Sequence, residues 1–194
     1  SSHRRQRQMC IRDSLNGGAH ANNKLDFQEF MIQPVGFSSF KEGLICGVEV
    51  FNYLKKTLNQ KGFSTAVGDE GGFAPGIDSA EEALDLISSS IEAAGYKVDK
   101  DVTFALDCAA TELLNNNEYV FSNDERLSSG ELIEYLTKLS NSYPLTSIEV
   151  GLDENDWSGW ENMTKKLGEK TQLVGDDLFV TNKEILQEGI DRSV

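Results

Sequence analysis

A chain of 194 residues is long enough for one domain with a sizeable core, but short of the roughly 250 residues that a complete eight-unit α/β barrel takes. Its 18 basic and 32 acidic residues give a formal net charge of -14, which disfavours nucleic acid and anionic membrane as partners and would repel a phosphorylated ligand unless a cation intervened. Cys10, Cys46 and Cys108 have no CxxC spacing, no apolar run approaches a membrane span and no signal-peptide core follows the arginine-rich start, so disulfide, zinc and membrane classes are disfavoured and a cytoplasmic setting fits best.

The first dozen residues, SSHRRQRQMCIR, hold four arginines and no acid, whereas all 32 acids lie beyond Arg12. Residues 1–14 therefore read as a non-native or disordered basic head, and residues 15–194 as the domain proper. LNGGAHANN, residues 15–23, gathers two glycines and three asparagines around His20 and reads as a flexible loop presenting an imidazole. A strand is expected over Phe27 to Ile32. The first long helix should start at the capping box Ser39 to Glu42, bury a stripe of Phe40, Leu44, Val48, Phe51, Leu54 and Leu58, and end before Gly62.

VGDEGGFAPG, residues 67–76, packs four glycines and a proline around Asp69 and Glu70, too irregular for helix or strand and unlike a P-loop or dinucleotide fingerprint. A second helix follows from Ser79 with Glu82 three residues on, burying Ala83, Leu84, Ile87 and Ile91 before Gly95. A strand over Val102 to Asp107 precedes a third helix that opens at Ser128 with Glu131, buries Leu132, Ile133, Leu136 and Leu139, and stops at Tyr143-Pro144. Strands over Leu145 to Glu149 and Gln172 to Asp176 come next, with a last helix opened by Thr181 and Glu184. The alternation argues for βα units and a largely parallel sheet, each later strand interval suiting one right-handed crossover.

Three successive strands thus finish on an acid: Asp107, Glu149 and Asp176. A lone acid after a strand is usually a cap or turn residue. Three converging at the C-terminal mouth of a parallel barrel repel one another unless a cation lies between them, and oxygen-only ligands favour Mg²⁺ over Zn²⁺. Asp177, by strand alternation, should point the other way and cap or support a ligand.

NGGAHANN, FQEFMI, VGDEGGFAP, LDCAATE, SIE followed by LDENDW, and VGDDLFVTN together resemble the motifs of the enolase family, in that family's order and spacing, from Leu15 to about Ile190. The resemblance implies the front part of the enolase C-terminal barrel, roughly its first five strands with their helices, a partial TIM-like α/β barrel truncated at both ends. It implies Mg²⁺ on Asp107, Glu149 and Asp176, agreeing with the independent strand-end argument. By the same carry-over Glu29 and Glu70 are the acidic pair that serves leaving-group departure and substrate binding, and His20 lies near the substrate phosphate. The implied activity is phosphopyruvate hydratase, the dehydration of 2-phosphoglycerate to phosphoenolpyruvate in glycolysis, by a cytoplasmic homodimer. Glu70, when protonated, can give the proton that lets hydroxide leave as water.

The family's proton-removing lysine, a second lysine and a smaller N-terminal domain have no counterpart among these motifs, so catalysis by this chain alone is not expected. Val150 also stands where the family has an aspartate directly after the metal-binding glutamate. A sugar-acid dehydratase or racemase of the wider superfamily would keep the strand-end acids without the NGGAHANN and VGDEGGFAP loops. A non-catalytic enolase remnant acting as a binding or structural protein is the alternative that Val150 favours.

Overall fold

The structure is a computed structural model that describes residues 13–194; residues 1–12, most of the expected basic head, lie outside the described residues. Short strands alternate with amphipathic helices in the α/β manner expected. The chain divides into two compact units, Ser1–Ala105 and Leu106–Val194, the boundary falling within one strand.

In the first unit β1 (Asp13–Asn16) pairs antiparallel with β2 (Glu29–Pro34), Leu15 lying opposite Phe30 and Asn16 opposite Glu29. β1 escapes a reading of apolar runs because Asp13, Ser14 and Asn16 are polar, yet all three are buried. Its antiparallel pairing departs from the parallel expectation, and β2 starts two residues later than the apolar letters suggest. Phe27 lies just outside it and is buried all the same.

Helix α1 (Phe40–Lys61) starts where expected: Ser39 Oγ accepts the Glu42 N–H, and Gly62 closes the helix at φ 79°, a left-handed conformation that glycine adopts without a Cβ clash. Its buried face is Cys46, Gly47, Val50, Leu54 and Leu58, so the predicted stripe is corrected at its N-terminal end. Phe40 is 65% and Val48 39% exposed. Apolar residues ring the first three turns, and two registers spaced by four compete there; the one that continues to Leu54 and Leu58 is buried. Phe51 flanks that face and stacks on Phe73 with ring centroids 4.3 Å apart. Helix α2 (Ala80–Ala93) has its Ser79 cap, the four expected buried residues and a left-handed Gly95. β3 (Val102–Asp107) is buried along its whole length.

In the second unit the end of β3 is followed in the sheet by β7 (Leu145–Glu149) and β8 (Gln172–Val174). β7 and β8 run parallel, with Ser147 opposite Gln172 and Glu149 opposite Val174. The strand order in this sheet is β1-β2-β3-β7-β8.

A small antiparallel sheet of β4 (Leu114–Asn115), β5 (Glu118–Val120) and β6 (Arg126–Leu127) was not anticipated. Two-residue strands show no period, and the signal available was the Asn116-Asn117 turn, at φ 53° and 66°. Helix α3 (Ser129–Ser142) carries the full Ser128–Glu131 capping box and buries Leu132, Ile133, Leu136 and Leu139 as expected. Helix α4 (Trp157–Leu167), capped by Asp156, fills the interval between β7 and β8. A single turn, α5 (Asp176–Phe179), and helix α6 (Lys183–Arg192) complete the chain. The cap of α6 is Asn182, whose side chain accepts from the N–H groups of Glu184 and Ile185, and not the expected Thr181, which is left-handed at φ 57°.

Candidate active site

Two groups of chemically capable side chains stand out, one in each unit. In the first, the two glycine-rich loops are stitched together. Asn16 N–H donates to the Phe73 carbonyl at 2.9 Å, Phe73 N–H to Ser14 at 3.0 Å, and Asp69 N–H to His20 at 3.1 Å. The VGDEGGFAPG segment therefore lies beside the end of β1, with Leu15 and Phe73 forming a parallel bridge. Such close backbone approach requires glycine: a Cβ on Gly68 would meet the His20 carbonyl at 2.6 Å and the Asn16 Cβ at 2.8 Å. Gly68→Ala should therefore displace one loop from the other at a cost of about 1–3 kcal/mol, measured as a lower urea midpoint with an unchanged slope.

This docking brings His20, Glu29 and Glu70 together. Each offers one ligand atom, and those atoms lie within 4.8 Å of one another, all three residues being half-buried. His20 Nδ1 is 3.4 Å from a Glu29 carboxylate oxygen, and that nitrogen is buried without a hydrogen bond. β2 begins at Glu29, a 3₁₀ turn over Gly18–His20 carries the imidazole, and the glycine loop carries Glu70. One imidazole and two carboxylates at this range can bind a polar ligand and exchange protons with it.

In the second unit, Asp107 ends β3 and Glu149 ends β7. The strands continue in step past these acids, Cys108 N–H donating to Glu149 O at 2.9 Å and Val150 N–H to Val174 O at 2.9 Å. Burial, and then the negative charges of Asp107, Asp176 and Asp177, push the Glu149 carboxyl up from 4.5 to about 7. Asp176 is not on a strand: β8 stops at Val174, and Asp176 is the exposed first residue of α5. Strand alternation consequently does not separate Asp177 from Asp176, and both charges act on Glu149.

Among the described residues the trio with ligand atoms within 4.8 Å is His20, Glu29 and Glu70. Asp107 and Asp176 act on Glu149 through their charges, but the three do not form a trio within that range. These three side chains offer only oxygen atoms, the donor type that a hard divalent ion takes.

Both strand ends turn through left-handed residues just past the acids. Ala109 has φ 42° and donates its N–H to Asp107 Oδ1 at 2.9 Å, and Val150, directly after Glu149, also has φ 42°. A β-branched residue there is an outlier costing about 1–2 kcal/mol, and Val150 is only 3% exposed. An aspartate or glycine suits such a backbone better, so the departure noted from the family pattern falls where valine fits worst.

A family model described as the enolase C-terminal TIM barrel domain matches residues 9–194. The chain belongs to the enolase family. The α/β elements described above agree with a partial barrel of the enolase type. Both groups of acids fall on motifs that carry the enolase resemblance. The residues that sequence reasoning overlooked are Asn16 and Asn23: Asn23 Nδ2 donates to the carbonyls of Asn16 and Pro75, and Asn16 Oδ1 accepts from Gly72. Their signal was present in the asparagine content of the first loop, which reads equally well as ordinary turn chemistry.

Proposed function

We propose that this chain supplies the metal-binding and leaving-group residues of an enolase that dehydrates 2-phosphoglycerate to phosphoenolpyruvate. The observation that carries the reading is a half-buried Glu149 at the end of β7, beside Asp107 at the end of β3 in the same sheet, under the added negative charge of Asp107, Asp176 and Asp177 that a cation would offset. Asp107, Glu149 and Asp176 would hold Mg²⁺. When bound, the ion supplies positive charge against the negative charge that builds on a carboxylate as its α-proton departs.

The chain's own groups bind and move protons. His20, half-buried and next to Glu29, faces the phosphate in this reading, and Glu29 with Glu70 binds the hydroxyl that will leave. Glu70 in its acid form gives its proton to that hydroxyl as the carbon–oxygen bond breaks, so water leaves rather than hydroxide. No residue here is assigned to removing the α-proton, so the chain by itself is expected to bind the metal without turning over. A cytoplasmic homodimer belongs to the same proposal; among the described residues no helix is long and apolar enough to cross a membrane.

The second reading, a non-catalytic remnant, is favoured by the strained and apolar Val150 beside Glu149. Titration calorimetry separates the two. A chain with a folded circular dichroism spectrum is expected to bind Mg²⁺ and to lose that binding in Asp107→Asn, whereas a folded chain that binds no Mg²⁺ overturns the dehydratase reading and leaves the remnant.

A further inference from the structure

The half-buried trio of the first unit joins His20 and Glu29, close in sequence, to Glu70 on a distant loop, and Asn16 is tied to both sides. Asn16 lies opposite Glu29 in the β1–β2 ladder and leads, four residues on, to His20. Its Oδ1 accepts the N–H of Gly72, two residues past Glu70, at 2.9 Å. Its backbone adds the bond to Phe73 and accepts the Asn23 amide at 2.9 Å.

We infer that Asn16 is a positioning residue whose buried carboxamide sets the spacing of His20, Glu29 and Glu70. The inference rests on the assignment of that trio to the chemistry. The side chain is fully buried, and the Gly72 donor fixes its orientation, because only the oxygen can accept. The other half of the amide, Nδ2, is buried without a partner. A core position chosen for packing alone would favour an apolar residue of this shape, since an unpaired buried donor is destabilising. What the carboxamide adds is the bond to Gly72. The neighbours are cut to fit: a Cβ on Gly72 would stand 3.0 Å from Asn16 Oδ1, and one on Gly68 2.9 Å from the same atom. Asn16 acts on the trio through the backbone and needs no contact with substrate.

Two variants test this in the chain as it stands. Asn16→Leu keeps the approximate shape and removes the acceptor, and Asn16→Asp keeps an oxygen for Gly72. In Asn16→Leu the amide exchange of Gly72 and Asp69 is expected to accelerate roughly five- to tenfold while the α2 amides of Leu84 and Ile87 hold, with Gly72 protection retained in Asn16→Asp. Should Asn16→Leu fail to fold, Asn16→Ser, whose hydroxyl stops short of Gly72, carries the same expectation. The positioning role is read from the His20 ring resonance, assigned by its loss in His20→Gln: Glu70→Gln should shift it in the native background, and by less than half as much alongside Asn16→Leu. Unchanged Gly72 exchange, exchange that rises equally everywhere, or an undiminished response of His20 to Glu70→Gln would each overturn the inference. None of these readouts requires Mg²⁺ or turnover, so they stand apart from the fate of the dehydratase reading.

Discussion

With no divalent cation present, the melting temperature of the chain is expected to fall as pH rises from 4.5 to about 7, and Glu149→Gln is expected to flatten that part of the curve. Glu149 is raised in the folded chain from 4.5 to about 7 by burial and by Asp107, Asp176 and Asp177. Below 4.5 the folded and unfolded forms both hold the proton, so the group costs nothing. Between the two values the folded state binds more protons than the unfolded one, and stability is lost with rising pH; above about 7 the full penalty is present and constant. Allowing for partial exposure, that penalty is about 1–3 kcal/mol, or several degrees for a chain of this size. The decisive quantity is the difference between the native chain and Glu149→Gln from pH 5 to 8.

Magnesium should reverse the effect. Above pH 7 Glu149 is ionised in the folded chain, and a cation held beside it stabilises the folded form by about 2.7 kcal/mol at a hundredfold excess over its dissociation constant. Glu149→Gln, already relieved of the repulsion, should gain little from Mg²⁺ while being the more stable of the two in its absence. Parallel melting curves with and without Mg²⁺ for both proteins would dismiss the assignment of Glu149 to a metal centre.

The amount of this arrangement legible in the sequence depends on whether a residue's role is local. Caps are local: Ser39, Ser79 and Ser128 all accept the N–H they were expected to accept, because Ser-x-x-Glu before an apolar stripe encodes its own geometry. Thr181 and Asn182 are both good caps by residue type, and only the backbone decides between them. The stripe of α1 was legible at Leu54 and Leu58, where one register is apolar, and misread at Phe40 and Val48, where two are. Asp107 and Glu149 could be placed at strand ends because apolar runs lead straight into them, whereas Gly175 ends β8 early and moves Asp176 into a helical turn. The bonds from Asn16 and Asn23 to the second glycine loop link residues more than fifty positions apart and have no signature in local pattern.

In an enzyme that joins these residues to a proton-removing lysine, Glu70→Gln is expected to lower kcat by about 10²–10⁴-fold while leaving KM within a few-fold. The amide keeps the size and hydrogen-bonding reach of the carboxyl, so binding in the half-buried trio survives, but it has no acidic proton to give when the hydroxyl leaves. His20→Gln should show the opposite pattern, since an imidazole that contacts the phosphate contributes to substrate and transition state alike: KM rises and kcat changes less. The contrast matters because Glu29 stands 3.4 Å from His20, so a generally disturbed cluster would damage both parameters in both variants. Equal losses in kcat and in binding for Glu70→Gln would make Glu70 a binding group and move proton donation to another residue, Glu29 being the neighbouring carboxyl within reach.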